Sequence, residues 1–141
     1  MQHDPCRPIK NIMSAENPFA HPLTVTPADI DEMGHVNNVV YVRWVQEVAA
    51  AHWHALASAE LKAKYAWVVL RHEIDYKNPA FLNDDVMGYT WVGEHHGARF
   101  DRFVTIKARG KTLAEAKTTW CLLDAKAMRP TRVSDDITGL L

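Results

Sequence analysis

The sequence predicts an α+β fold in which one antiparallel β-sheet wraps around a single long central α-helix. Three features predict it. Between Asn38 and His54 only Arg43 and Glu47 carry a full charge, and at about 100° per residue these two fall with Ala50 and His54 on one narrow stripe. The rest of that helix, including Tyr41, Val42, Trp44, Val45, Val48 and Ala49, is apolar, so most of its circumference should be buried. From Trp67 onward the apolar spacing switches from a helical to a two-residue period, with clusters of Asn, Asp, Gly and Pro between segments of strand length.

The elements follow in order. Residues 1–21 contain Pro5, Pro8 and Pro18 among scattered polar groups and read as a flexible leader; residues 22–141 read as one domain. Pro22–Thr26 is expected as a short first strand, which Pro27, lacking an N–H donor, ends or confines to an edge. A polar segment, Asp29–Asn38, then enters the long helix, with asparagine at the capping position. Ala55 to Lys64 continues in good helix formers, and Lys62 and Lys64 suit the negative end of the dipole. In Trp67–Tyr76, simple alternation puts Val68, Leu70, His72, Ile74 and Tyr76 on one face, opposite Trp67, Val69 and Arg71. Val86–Glu94, Arg99–Ala108 and Thr112–Asp124 complete a set of four strands. The short turns between them imply an antiparallel meander. Val133–Leu141 reads as a small terminal helix with Ser134 as its cap.

The chemistry concentrates in Asp29-Ile30-Asp31-Glu32-Met33-Gly34-His35-Val36-Asn37-Asn38. Gly34 supplies the freedom for a tight turn. A helix N-terminus offers unpaired N–H groups and a positive dipole end. A carboxylate beside such donors can act as base or nucleophile next to an oxyanion site. A well-capped helix entrance needs the same residue types, so the residues alone leave Asp31 between a catalytic and a helix-entry role. Asp29, two residues away, either closes a turn or pairs with Asp31 so that their repulsion raises the pKa of one.

Asp31-Glu32-Met33-Gly34-His35-Val36-Asn37-Asn38-Val39-Val40-Tyr41-Val42-Arg43-Trp44 resembles the D-x-x-G-H-V-N-N-x-x-Y-x-x-W signature of the hotdog-fold acyl-CoA thioesterases, the 4-hydroxybenzoyl-CoA thioesterase-like group. The order of elements over roughly residues 20 to 125 is consistent with that family. Met33 stands where the related plant acyl-ACP thioesterases have asparagine, so the acyl-CoA branch is the better match. The resemblance implies a hotdog fold. It implies that Asp31 is the catalytic carboxylate and that Gly34 and His35 line the thioester end of the site. Asn38 and Tyr41 are further substrate-binding candidates; the bland alternatives are a cap or loop fastener for Asn38 and simple packing for Tyr41. It further implies a homo-oligomer, dimer or tetramer, with the site at a subunit interface. No cofactor and no metal are implied.

Composition bounds the alternatives. At 141 residues and 48% hydrophobic the chain can build one sizeable core, and a net charge of −1 gives no electrostatic footprint for nucleic acid or an anionic membrane. Two cysteines make no disulfide framework, and neither a signal-peptide core nor a stretch of about 18 apolar residues occurs, so a cytoplasmic protein with no membrane span is expected. Asp29-x-Asp31 opens like a calcium loop but fails at Met33 and Val40. His52 and His54 project about 200° apart on a helix and cannot share a metal. His52 reads as a hydrogen-bonded core histidine; His21 and the His95-His96 turn read as solvated.

The expected activity is hydrolysis of an acyl-CoA to free acid and CoA, with Asp31 as general base or nucleophile. The alternatives are a non-catalytic acyl-CoA-binding module and a hotdog hydratase or dehydratase. Arg99, Arg102, Arg109 and Lys111 are candidates by charge alone for holding the CoA nucleotide, and the five tryptophans could shape an acyl pocket.

Overall fold

The computed structural model describes residues 14–141, so most of the segment read as a leader lies outside the described residues. The sheet strands are β1 (Phe19–Leu23), β2 (Tyr65–Tyr76), β3 (Val86–His96), β4 (Arg99–Ala108), β5 (Lys111–Asp124) and the two-residue β6 (Arg129–Pro130). The helices are α1 (Asn38–Leu56), α2 (Ala59–Lys64) and the short α3 (Asp135–Thr138), and a 3-10 turn spans Pro27–Asp29. β1 begins ahead of the expected Pro22, so Phe19–His21 belong to the sheet rather than to the leader. Pro22 is tolerated because β1 is an edge strand, paired only with β3. His21 is half-buried and contacts Glu47 of α1 at 3.2 Å, not a bland solvated group.

Every pairing is antiparallel, in the order β1-β3-β4-β5-β2, with β6 beside β5. The meander therefore covers β3, β4 and β5 only. β2 does not pair with β3, its successor in sequence; the 77–85 connection carries the chain past the end of the sheet, and β2 closes the far edge against β5. Simple alternation also fails in β2. The β2–β5 register shifts between Val69 and Arg71, a bulge that re-aims the strand. Trp67 packs on Trp53 and Phe100, while His72 contacts Thr118 Oγ1 (2.8 Å) and Gln46 (3.2 Å), so two residues of opposite parity both face α1. Leu70, at the bulge, is exposed.

α1 lies across the concave face of the sheet. Val40, Tyr41, Trp44, Val45 and Val48 pack with Leu23, Val86, Val104, Ile106 and Leu113 in the main core. A second cluster, Tyr65, Phe100, Leu122 and Ile137, fills the other end of the sheet. The helix is less buried than its apolar circumference predicts: seven of its residues are buried, while Val39 is 73% exposed and Gln46 and Ala50 are open. One chain covers one face of α1. The close approach of α1 to β3 depends on Gly88, where an added Cβ would sit 2.3 Å from Val48 Cγ2.

Helix ends follow local chemistry. Asn37 caps α1, its Oδ1 accepting from Val39 N–H (3.0 Å). The run of helix formers to Lys64 is not continuous, because Ala57 and Ser58 adopt extended backbone and Ser58 Oγ caps α2 by accepting from Leu61 N–H (3.1 Å). Ser134 precedes α3, but its hydroxyl bonds Asp136 rather than a helix N–H.

Candidate active-site cleft

The segment before α1 folds into a compact turn. Asp31 N–H donates to His35 O (2.8 Å), Gly34 N–H donates to Asp31 O (3.0 Å), and Ile30 and Val36 form an isolated antiparallel bridge. Gly34 has φ +79°, a left-handed conformation that a side chain would disfavour. Within this turn Asp31 Oδ1 accepts from Met33 N–H (2.9 Å) and His35 N–H (3.3 Å), which fixes the carboxylate. Its Oδ2 is hydrogen bonded to no described group. The carboxylate does not cap α1, because Asn37 does; it is held one turn ahead by its own loop.

Asp29 is the buttress of this loop, not a second acid. It is buried, accepts from Thr26 N–H and from Arg43 Nη2 (both 2.9 Å), and its carbonyl accepts from Asn37 N–H (2.8 Å). Burial alone would raise its pKa, but the Thr26 and Arg43 hydrogen bonds outweigh that and hold it below the ordinary carboxylate value. The turn-closing reading of Asp29 therefore stands, and the proposed elevation by Asp31 does not occur.

Asp31, His35, Asn38 and Tyr41 line one cleft of about 270 Å³. Gly34 shapes the turn beside it without lining it. The other wall is the end of β2 and the connection after it: Tyr76, Lys77, Asn78 and Pro79. The sequence reading missed this wall. Its one signal in the sequence is the Asn78-Pro79 pair, part of the Asn, Asp, Gly and Pro clusters that separate the strand segments. Tyr76 Oη donates to Asn38 O (3.3 Å), tying the wall to the first residue of α1, and its ring packs edge-on to Tyr41. Tyr41 is 2% exposed and burial raises its phenol pKa, so it stays neutral. His35 packs edge-on against Phe81, itself stacked with Arg109. Arg109 bonds Asp84 and Pro79 O (3.0 Å), so it braces the cleft wall.

The second large cavity, about 240 Å³, lies under the C-terminal half of α1, lined by Trp53, Tyr65, Trp67, Phe100, Arg102, Trp120 and smaller apolar residues. Arg102 is buried on the helix-facing side of the sheet, so its candidacy as a surface contact for the CoA nucleotide fails. His52, as expected, is a core histidine: 0% exposed, stacked on Phe19, its Nδ1 accepting from Arg102 Nη1 (2.9 Å). Burial, and then the Arg102 charge, push its pKa down to about 4, so it is neutral and Nε2 carries the hydrogen.

A family model described as the thioesterase-like superfamily matches residues 25–141. Two uncharacterized Mycobacterium tuberculosis proteins are 29% identical over 109 residues, which is 77% of this chain; the chain spans only 42% of their length. The long-chain acyl-CoA thioesterase FadM of Escherichia coli is 25% identical over 107 residues, covering 71% of this chain and 79% of FadM. Among solved structures, a Thermus thermophilus thioesterase complexed with coenzyme A and zinc superimposes with a TM-score of 0.76 at 22% identity, over 85% of this chain and 88% of that one. That likeness shows the fold, a curled antiparallel sheet around a helix: the hotdog arrangement. No described helix is long and apolar enough to cross a membrane.

Proposed function

Because the chain belongs to the thioesterase-like superfamily, we propose that it hydrolyses the thioester bond of an acyl-CoA at the cleft around Asp31. The observation that carries this reading is the state of the Asp31 side chain. One oxygen is clamped by two backbone N–H groups, and the other has no hydrogen-bond partner among the described residues, in a cleft large enough for a thioester. A carboxylate serving only as a loop fastener needs no such opening.

In this reading Oδ2 works in one of two ways. As a general base it takes a proton from a water that attacks the carbonyl carbon. As a nucleophile it attacks that carbon itself, giving a mixed anhydride that water then cleaves. In both, the C–S bond breaks, CoA leaves as the thiol, and the acyl group leaves as the free acid. Stabilisation of the oxyanion falls to the Asn38 N–H, which has no acceptor among the described residues, since Asn37 takes the Val39 and Val40 N–H groups. Support for a CoA substrate is the acyl-CoA thioesterase activity named for FadM and the coenzyme A held by the Thermus thermophilus thioesterase.

The reading includes a homodimer. β2 presents a twelve-residue outer edge with no partner strand among the described residues, and Val68, Leu70 and Tyr76 on it are exposed, a surface that pairs readily with a second copy. Sedimentation equilibrium tests this part; a monomer at micromolar concentration would remove it.

Asp31→Asn, assayed for thiol release on a panel of aliphatic and aryl acyl-CoAs, tests the reading as a whole. The expected result is a fall in kcat of about 100-fold or more, the size of a base or nucleophile effect. Near-normal turnover by the variant, or no hydrolysis of any panel member by the parent protein, would end it. A single turnover in oxygen-18 water separates the two routes, since only the anhydride route places label in the Asp31 carboxylate.

A further inference from the structure

The cavity under the C-terminal half of α1 holds a cation that no described carboxylate balances. Arg102 is 8% exposed, and its partners among the described residues are neutral: Nη1 donates to His52 Nδ1 (2.9 Å) and to Thr90 Oγ1 (3.0 Å). Its remaining nitrogens, Nε and Nη2, donate to no described group, although the side chain forms part of the cavity wall. Two neighbouring donors are also without acceptors among the described residues: His52 Nε2–H and, in the cavity wall, Trp120 Nε1–H.

Burying an unpaired guanidinium is costly, and a core at this position would be more stable with an apolar residue. Burial lowers the Arg102 pKa only to about 10, so the charge persists at neutral pH. Planar guanidinium donors match a carboxylate in a two-point bond. Around them the cavity is apolar and aromatic, with Trp53, Trp67, Phe100 and Trp120 in its walls, and its volume of about 240 Å³ suits an aryl ring or a medium-length alkyl chain.

We propose that this cavity binds an apolar monocarboxylate, its carboxylate on Arg102 and its hydrocarbon body among the tryptophans. The site is separate from the Asp31 cleft of the same chain. Asn38 opens α1 and His52 lies fourteen residues further along it, about 20 Å at the helical rise of 1.5 Å per residue. The inference does not rest on the hydrolase reading, because it concerns equilibrium binding of an acid and needs no turnover.

The probe is octanoate, titrated into the full chain and followed by tryptophan fluorescence, with octan-1-ol as the uncharged comparison. Octanoate should bind about tenfold or more tightly than the alcohol, the gain given by hydrogen bonds to a charged group. Arg102→Met should remove that preference while leaving octanol binding in place, and Arg102→Lys should keep part of it. Ala50→Trp, at the cavity mouth, should weaken both ligands. Equal affinity for acid and alcohol in the parent protein overturns the proposal without any variant. Octanoate binding unchanged by Arg102→Met in a protein of native circular dichroism overturns it as well.

Discussion

Gly88 sets how closely α1 can lie on the sheet, and that can be tested by a pair of substitutions. Gly88→Ala would place a Cβ 2.3 Å from Val48 Cγ2, about 1.5 Å inside ordinary carbon contact, with Leu23 Cδ1 also tight at 3.3 Å. Val48 is 0% exposed and sits in the main core, so it has no room to retreat. Forcing a methyl into such a site costs about 1–3 kcal/mol. Val48→Ala alone removes two buried methyl groups, about 1.6 kcal/mol at 0.8 kcal/mol per carbon before any cavity cost. In the double variant the clashing Cγ2 is gone, the new Cβ meets Val48's retained Cβ at 3.4 Å, and the added methyl fills part of the space. Gly88→Ala should then be close to neutral. The expected coupling, from urea unfolding of all four proteins, is about 1–3 kcal/mol in favour of the double variant. Additive effects would refute the idea that contact with Val48 fixes the position of the helix.

Three further outcomes follow from the loop and the core. Stability should fall with acid between pH 6.5 and about 4, because the folded protein keeps His52 neutral while the unfolded chain takes up its proton first. His52→Gln, which still offers Arg102 an acceptor, should flatten that limb of the urea midpoint against pH; an unchanged slope would contradict the assignment. Arg43→Met should cost about 1 kcal/mol at neutral pH, since Arg43 itself is half-exposed. Asp29 is held below its ordinary value of 3.8, so that advantage should persist down to about that pH and fade only below it, which unfolding at stepped pH would show. If Asp31 has the role proposed above, Gly34→Ala, at φ +79°, should destabilise by about 1 kcal/mol and lower kcat more than it raises KM, because the turn would then aim Asp31 rather than hold distant parts of a substrate. A change confined to KM would argue against that role.

Local chemistry was readable in the sequence wherever it decided the structure. Asn37 before an apolar run, Gly34 in a polar loop and Arg109-Gly110 between two alternating segments each act over a few residues, and the cap, the turn and the β4–β5 hairpin follow. The gathering of Asp31, His35, Asn38 and Tyr41 at one cleft also follows from their closeness along the chain. Pairing between distant segments was not readable. Nothing in Trp67–Tyr76 distinguishes β3 from β5 as its partner, and the bulge after Val69 leaves no Gly or Pro to mark it. Arg102 was misplaced for a different reason. Its parity with Phe100, Val104 and Ile106 puts it on the buried face, but its charge suggested the surface, and the periodic signal was the one to follow.

The order of strands has a consequence for how the chain is made. Both margins of the sheet, β1 and β2, precede in sequence the strands β3, β4 and β5 that must receive them. A nascent chain emerging from the ribosome therefore displays α1 and two unmatched strands before any of their partners has been synthesised. β5 completes both the local hairpin with β4 and the distant closure with β2, so Lys111–Asp124 is the latch. Arrest of translation upstream of Lys111 should leave a protease-sensitive, chaperone-bound intermediate, and release of those fourteen residues should convert it to a resistant one in a single step.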